Sequence, residues 1–70
     1  MKEKENIGKT CTFKYHVYEP AVGYRVDTGK EYTGIIKDWQ PLPFQNYVVK
    51  VDGFAMPFYV WTSDVVRITD

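Results

Sequence analysis

One cysteine, one histidine and one serine stand among the 70 residues, and that scarcity removes whole classes of chemistry. Cys11 has no partner for a disulfide, so its thiol suits a reducing, cytoplasmic setting. Zinc needs three or four ligands at fitting spacing, and Cys11 with His16 offers two and no repeat. A nucleophile needs a base and an orienting group beside it. Ser63 reads instead as a turn residue and His16 as the end of a strand. The acidic pairs Glu19 with Asp27, and Asp52 with Asp64, fall in turns, where carboxylates bond to the backbone. Glycines 8, 23, 29, 34 and 53 are dispersed and form no phosphate loop. A barrel of this length also leaves no room for a deep pocket, typically about 300–1,000 Å³. These absences point away from an enzyme, a cofactor and a metal.

Charge of one sign is missing too: nine basic and nine acidic side chains cancel and are interspersed. A domain held to nucleic acid mainly by phosphate neutralisation shows a basic stripe instead. No apolar run approaches the roughly 20 residues of a membrane helix. The opening MKEKEN is charged, with no hydrophobic segment behind it, unlike a secretion signal. Nowhere do apolar residues recur at helical spacing over about ten positions.

What is abundant is aromatic: six tyrosines, four phenylalanines and two tryptophans. A small core of about ten side chains at interior density cannot hold them all, so several lie partly exposed. Such side chains also cover strands and strengthen cross-strand pairs, which accounts for part of the excess.

The organising stretch is residues 46–60, NYVVKVDGFAMPFYV, with Asp52-Gly53 at its centre. Asp-Gly between strand-like runs predicts a two-residue type I′ hairpin. That register pairs Val51 with Phe54, Val49 with Met56 and Tyr47 with Phe58. One face then carries Tyr47, Val49, Val51, Phe54, Met56, Phe58 and Val60, apolar enough to pack on a core. Pro57 fits at a non-hydrogen-bonded position and places residues 54–60 at a sheet edge.

Around that hairpin, residues 1–6 read as a solvated flexible tail and residues 7–70 as one domain. Alternation over residues 9–15 predicts a first strand with Cys11, Phe13 and Tyr15 on one side. Residues 16–30 read as a long bent loop, broken by Pro20, Gly23 and Gly29. Residues 31–39 form a second strand with a bulge or bend at Gly34; Ile36 and Trp39 fall on opposite faces. Two prolines make residues 40–45 a loop. Residues 62–64 give one 3₁₀ turn, and residues 65–69 a closing strand.

This order resembles the SH3-type small barrel: strand, long loop, bent strand, loop, hairpin, 3₁₀ turn, strand. The ending YVWTSDVVRI and the Gly34-Ile35-Ile36 bend carry most of the resemblance, which spans residues 8–69. The expected fold is thus all-β, a five-stranded, SH3-like, partly open barrel. HVYEP stands where signalling SH3 domains have an acidic-aromatic loop, and Asn46-Tyr47 where they have paired tryptophans. In size and balance the chain looks more like the small YorP-like prophage proteins. That resemblance implies a fold and no established activity.

In such an arrangement the long first loop, the second loop and the 3₁₀ turn converge. They bring Tyr18, Tyr24, Arg25, Trp39, Phe44, Tyr59 and Trp61 to one surface, with Lys37 near. Aromatic and arginine side chains of this kind dominate binding energy at interfaces. The expected function is a non-catalytic module for a protein or peptide, using that surface or the exposed edge strand. Weaker single-strand nucleic-acid binding is the alternative, by base stacking with Lys9, Lys14, Arg25, Lys37, Lys50 and Arg67 on phosphates. A small assembly subunit is a third reading. Against any binding role, Trp39 and Trp61 also read as caps on the barrel ends and Phe44 as tucked under the proline loop.

Overall fold

The computed structural model describes residues 2–21 and 23–70, with Tyr18, Glu19 and Tyr24 described in their backbone alone. Strands β1 (Thr10–Glu19), β2 (Tyr24–Gln40), β3 (Asn46–Lys50), β4 (Phe58–Trp61) and β5 (Val65–Thr69) make one antiparallel sheet. Their spatial order is β4-β3-β2-β1-β5, so β4 and β5 are edges and the sheet does not close. Two 3₁₀ segments complete the described residues, Lys2–Asn6 and Thr62–Asp64. None of the described helical segments is long or apolar enough to cross a membrane.

β2 sits at the centre because it is long enough to serve two partners. Its first part pairs with β1 and its last part with β3, and Ile35 faces both Thr10 and Lys50. Two irregularities bend it. The first falls at Thr28 and Gly29, which have no partner between Tyr15 and His16. Gly29 takes φ 78° and donates its N–H to Asp27 Oδ1, while Thr28 Oγ1 donates to the Tyr15 carbonyl. Residues 16–30, expected as an irregular loop, are therefore mostly paired strand, with Thr28-Gly29 a bulge inside it. Valine and tyrosine on both arms favour that ribbon over a free loop.

The second irregularity is at Lys37, which β3 leaves unmatched between Ile36 and Asp38. One extra residue reverses which face later side chains occupy. Ile36 and Trp39, placed on opposite faces by simple alternation, are consequently both buried. Gly34 is not itself the bulge. Its missing side chain lets β3 approach: a Cβ there would overlap the Lys50 carbonyl oxygen and lie 2.9 Å from Val51 Cγ2.

The hairpin differs from a two-residue link. Phe54 N donates to the Val51 carbonyl and Gly53 has φ 90°, so the turn forms where expected. Asp52, however, is not left-handed, which is the pattern of a type II turn and not of type I′. Unprimed turns splay the flanking strands. Pairing therefore resumes only at Phe58, opposite Val49, two residues later than the tight hairpin requires. A slip of two keeps the faces: Tyr47, Val49, Val51 and Val60 are buried and Phe58 packs against them. Phe54 and Met56 leave the core instead, Met56 being 72% exposed. Pro57 lies just ahead of β4, outside the ladder.

Residues 2–6, expected as a solvated tail, make a 3₁₀ segment with no buried residue. Asn6 Nδ2 donates to the Tyr47 hydroxyl at 2.9 Å, and Gly8 and Lys9 extend the ladder to Ile36. The core unites Cys11, Phe13, Ile36, Trp39, Tyr47, Val49, Val51 and Val60.

Two predictions test this packing. Gly34→Ala forces the Lys50 backbone away and is expected to destabilise by about 2–3 kcal/mol, read as a lower midpoint in urea; an unchanged midpoint refutes the close approach. Burial pushes the Cys11 thiol up from 9.0 to about 11. A raised folded value means the advantage is full below about pH 9 and is lost as pH rises toward 11. Cys11→Ala is expected to flatten that alkaline loss of stability. The folded protein should also react with a thiol reagent at pH 8 far more slowly than the unfolded chain; equal rates would contradict burial.

Candidate functional site: an aromatic groove ending in a buried carboxylate

A groove of about 540 Å³ opens along the gap where β1 and β4 fail to meet. It is an open groove, formed because an unclosed sheet leaves space between its strands. Lys14, Tyr15 and His16 of β1 line one side, and residues 54–60 the other. Between them lies an aromatic floor. Tyr32 packs against Phe13, Tyr15, Phe54 and Phe58 at ring separations of 5.3–6.2 Å, mostly tilted or edge-on. Tyr15 stands edge-on to Phe58 at 5.4 Å, so the two walls touch at the bottom. Such tilted contacts add about 0.5–1.5 kcal/mol per pair beyond burial, which stiffens the floor.

The end of the groove is polar. Asp64, in the 3₁₀ turn Thr62–Asp64, is 7% exposed. Expected as a turn carboxylate bonded to backbone, it instead accepts a charge-assisted hydrogen bond from Arg25 Nη2 through Oδ2. Its Oδ1 lies 3.1 Å from His16 Nδ1, an ion-pair distance for a protonated ring but not aligned as a hydrogen bond. His16 Nε2 is 3.9 Å from Asp27 Oδ2, placing the ring between two carboxylates. A buried charge persists only when paired, and Arg25 supplies the partner. Arg25 in turn lies over Trp61, with Cζ 4.2 Å from the ring centroid. The guanidinium thus ties the first ribbon to the strand and turn that end the groove, by charge on one side and by the ring's negative face on the other.

The surface expected from the sequence is brought together only in part. Arg25 and Trp61 touch, and Trp61 shares a hollow of about 210 Å³ with Pro43, Phe44, Gln45, Thr62 and Ser63. Phe44 is 64% exposed rather than tucked beneath its loop. Tyr59, 61% exposed, lies two residues from Trp61 on β4 and borders the main groove. Trp39 is not part of any surface. It is buried against Tyr47 at 4.9 Å, and its indole N–H has no acceptor among the described residues. The Lys37 bulge is the cause, since it turns the following residues inward. The side chains of Tyr18 and Tyr24 lie outside the described residues.

Sequence reasoning missed the groove residues Tyr15, Tyr32, Phe54 and Met56 as a set, along with the Arg25–Asp64–His16 cluster. The cluster joins residues 39 and more positions apart, and no spacing rule links them. Phe54 and Met56 carried a misleading signal, the alternation that read as core.

No family model matches the chain, and no curated protein or solved structure matches it.

Removing one partner from the cluster should be costly. Asp64→Asn leaves Arg25 facing a neutral amide and is expected to destabilise by about 2 kcal/mol, below the fully buried range because Arg25 is one-third exposed. Chemical denaturation checks this, and a loss under about 0.5 kcal/mol, as for exposed pairs, would rule the bridge out as a structural tie.

Proposed function

We propose that the protein is a non-catalytic peptide-binding module of SH3 type. The observation that carries this reading is the held aromatic surface: Trp61 lies half-exposed beneath Arg25, which is itself fixed by Asp64. Phe44 and Tyr59 flank it. Aromatic side chains immobilised before binding contribute area without much loss of conformational freedom on association. The strand order and the 3₁₀ turn ahead of β5 support the SH3-type reading. Interspersed charge, with Asp64 paired to Arg25 and Asp27 beside His16, favours a polypeptide over a phosphate backbone.

The test is selection of peptides from a random library on the folded chain. Binders are expected, and Trp61→Ala should weaken them by about tenfold or more, the usual loss at an aromatic anchor. Selected peptides that bind Trp61→Ala and the parent equally would refute the role of this surface.

A further inference from the structure

The two walls of the main groove share a property that side chains alone do not reveal. Among the described residues, β1 pairs with β5 only over residues 10–13, so beyond Phe13 its edge away from β2 has no strand beside it. β4 pairs with β3 and, among the described residues, has no strand on its other side. Residues from both unpaired edges line the groove, and the gap between them is about 540 Å³. Edge strands are normally blunted by charge, proline or a bulge. β4 has no charged residue at all, reading FYVW, and Pro57 precedes it without interrupting it. A cavity bounded by two strand edges and floored by aromatic rings suits one class of occupant, an extended polypeptide backbone.

We infer that the groove takes an extended segment of a partner protein as an added strand lying between β4 and the outer part of β1. The inference rests on the peptide-binding reading and supplies its mode. Alternate side chains of the segment face the floor of Tyr15, Tyr32 and Phe58, while the others face solvent, as strand geometry requires. The charge of the walls adds a further condition. Arg25 is engaged by Asp64, whereas Lys14, exposed at the rim, has no ion-pair partner among the described residues. An alternating apolar segment with an acidic residue near Lys14 is therefore the favoured occupant. A nucleic-acid strand has no regular row of amide donors and acceptors to match the two edges.

The mode is testable with defined probes on the whole chain, followed by amide NMR. The first is a blocked peptide alternating valine and threonine with one glutamate. The second and third carry N-methyl groups on alternate residues, one set for each edge of the peptide. The fourth is a proline-rich peptide of equal length. The first is expected to shift the amides of Lys14, Tyr15 and His16 together with those of β4. N-methylation should weaken it by about tenfold, since each lost backbone hydrogen bond is worth about that factor. Lys14→Gln, which removes the charge without setting a second carboxylate opposite Glu31, should weaken it several-fold. If the alternating peptide moves neither edge, or if both N-methylated forms bind as tightly as the parent, strand addition is wrong. Peptides that bind only at Phe44 and Trp61 would reject strand addition while leaving a peptide-binding module. Salt-sensitive binding of oligo-dT with no response to any peptide would reject both.

Discussion

The close backbone approach of β2 to β3 at Gly34 is the constraint on which the rest of this fold depends. A side chain there would collide with the Lys50 carbonyl, so only glycine lets the two strands meet while Ile35 pairs on both sides. From that crossing point the long strand divides its hydrogen bonds between β1 and β3. Its two bulges then set the curvature of the sheet. The bulge at Lys37 sends Trp39 into the core, and the bulge at Thr28 and Gly29 redirects the ribbon that carries Arg25 and His16.

Curvature without closure leaves the groove. A five-stranded sheet bent this strongly brings its outer parts near one another, yet β4 and β1 never pair. Aromatic rings fill the floor of the gap in place of a ladder. At the corner where the 3₁₀ turn joins β4 to β5, Asp64 and Arg25 provide the tie that hydrogen-bonded strands would otherwise supply. One guanidinium therefore has two effects. It neutralises a buried carboxylate, and it covers one face of the Trp61 ring, which stays half-exposed. Stability and the exposed surface are linked through that residue, because the same contacts that hold the corner arrange the groove's end.

How much was legible beforehand varies with the range of the interaction. Cys11 and Phe13 in the first strand, the proline loop, the 3₁₀ turn at residues 62–64 and the last strand all follow from alternation and turn chemistry over a few residues. The Asp-Gly turn was legible as well, but its type was not. One backbone angle at Asp52 separates a tight hairpin from a splayed one, and aspartate accepts either. The candidate surface was half legible: Arg25, Phe44, Tyr59 and Trp61 share a region, whereas Trp39 is lost to the core. Alternation assumes an unbroken strand, and a bulge at a lysine leaves no local mark.

By itself the sequence determined the class of structure: short-range alternation, dispersed glycines and the lack of any helical period leave only strands and turns, and an excess of aromatics over what a core can hold obliges some to be exposed. Tertiary structure alone decided which aromatics those are, where the sheet stays open, and that Asp64, Arg25 and His16 meet. The reason is that strand identity is carried by neighbours two residues apart, while register, bulges and ion pairs across the sheet depend on residues twenty to forty positions away, which become neighbours only when the chain has folded.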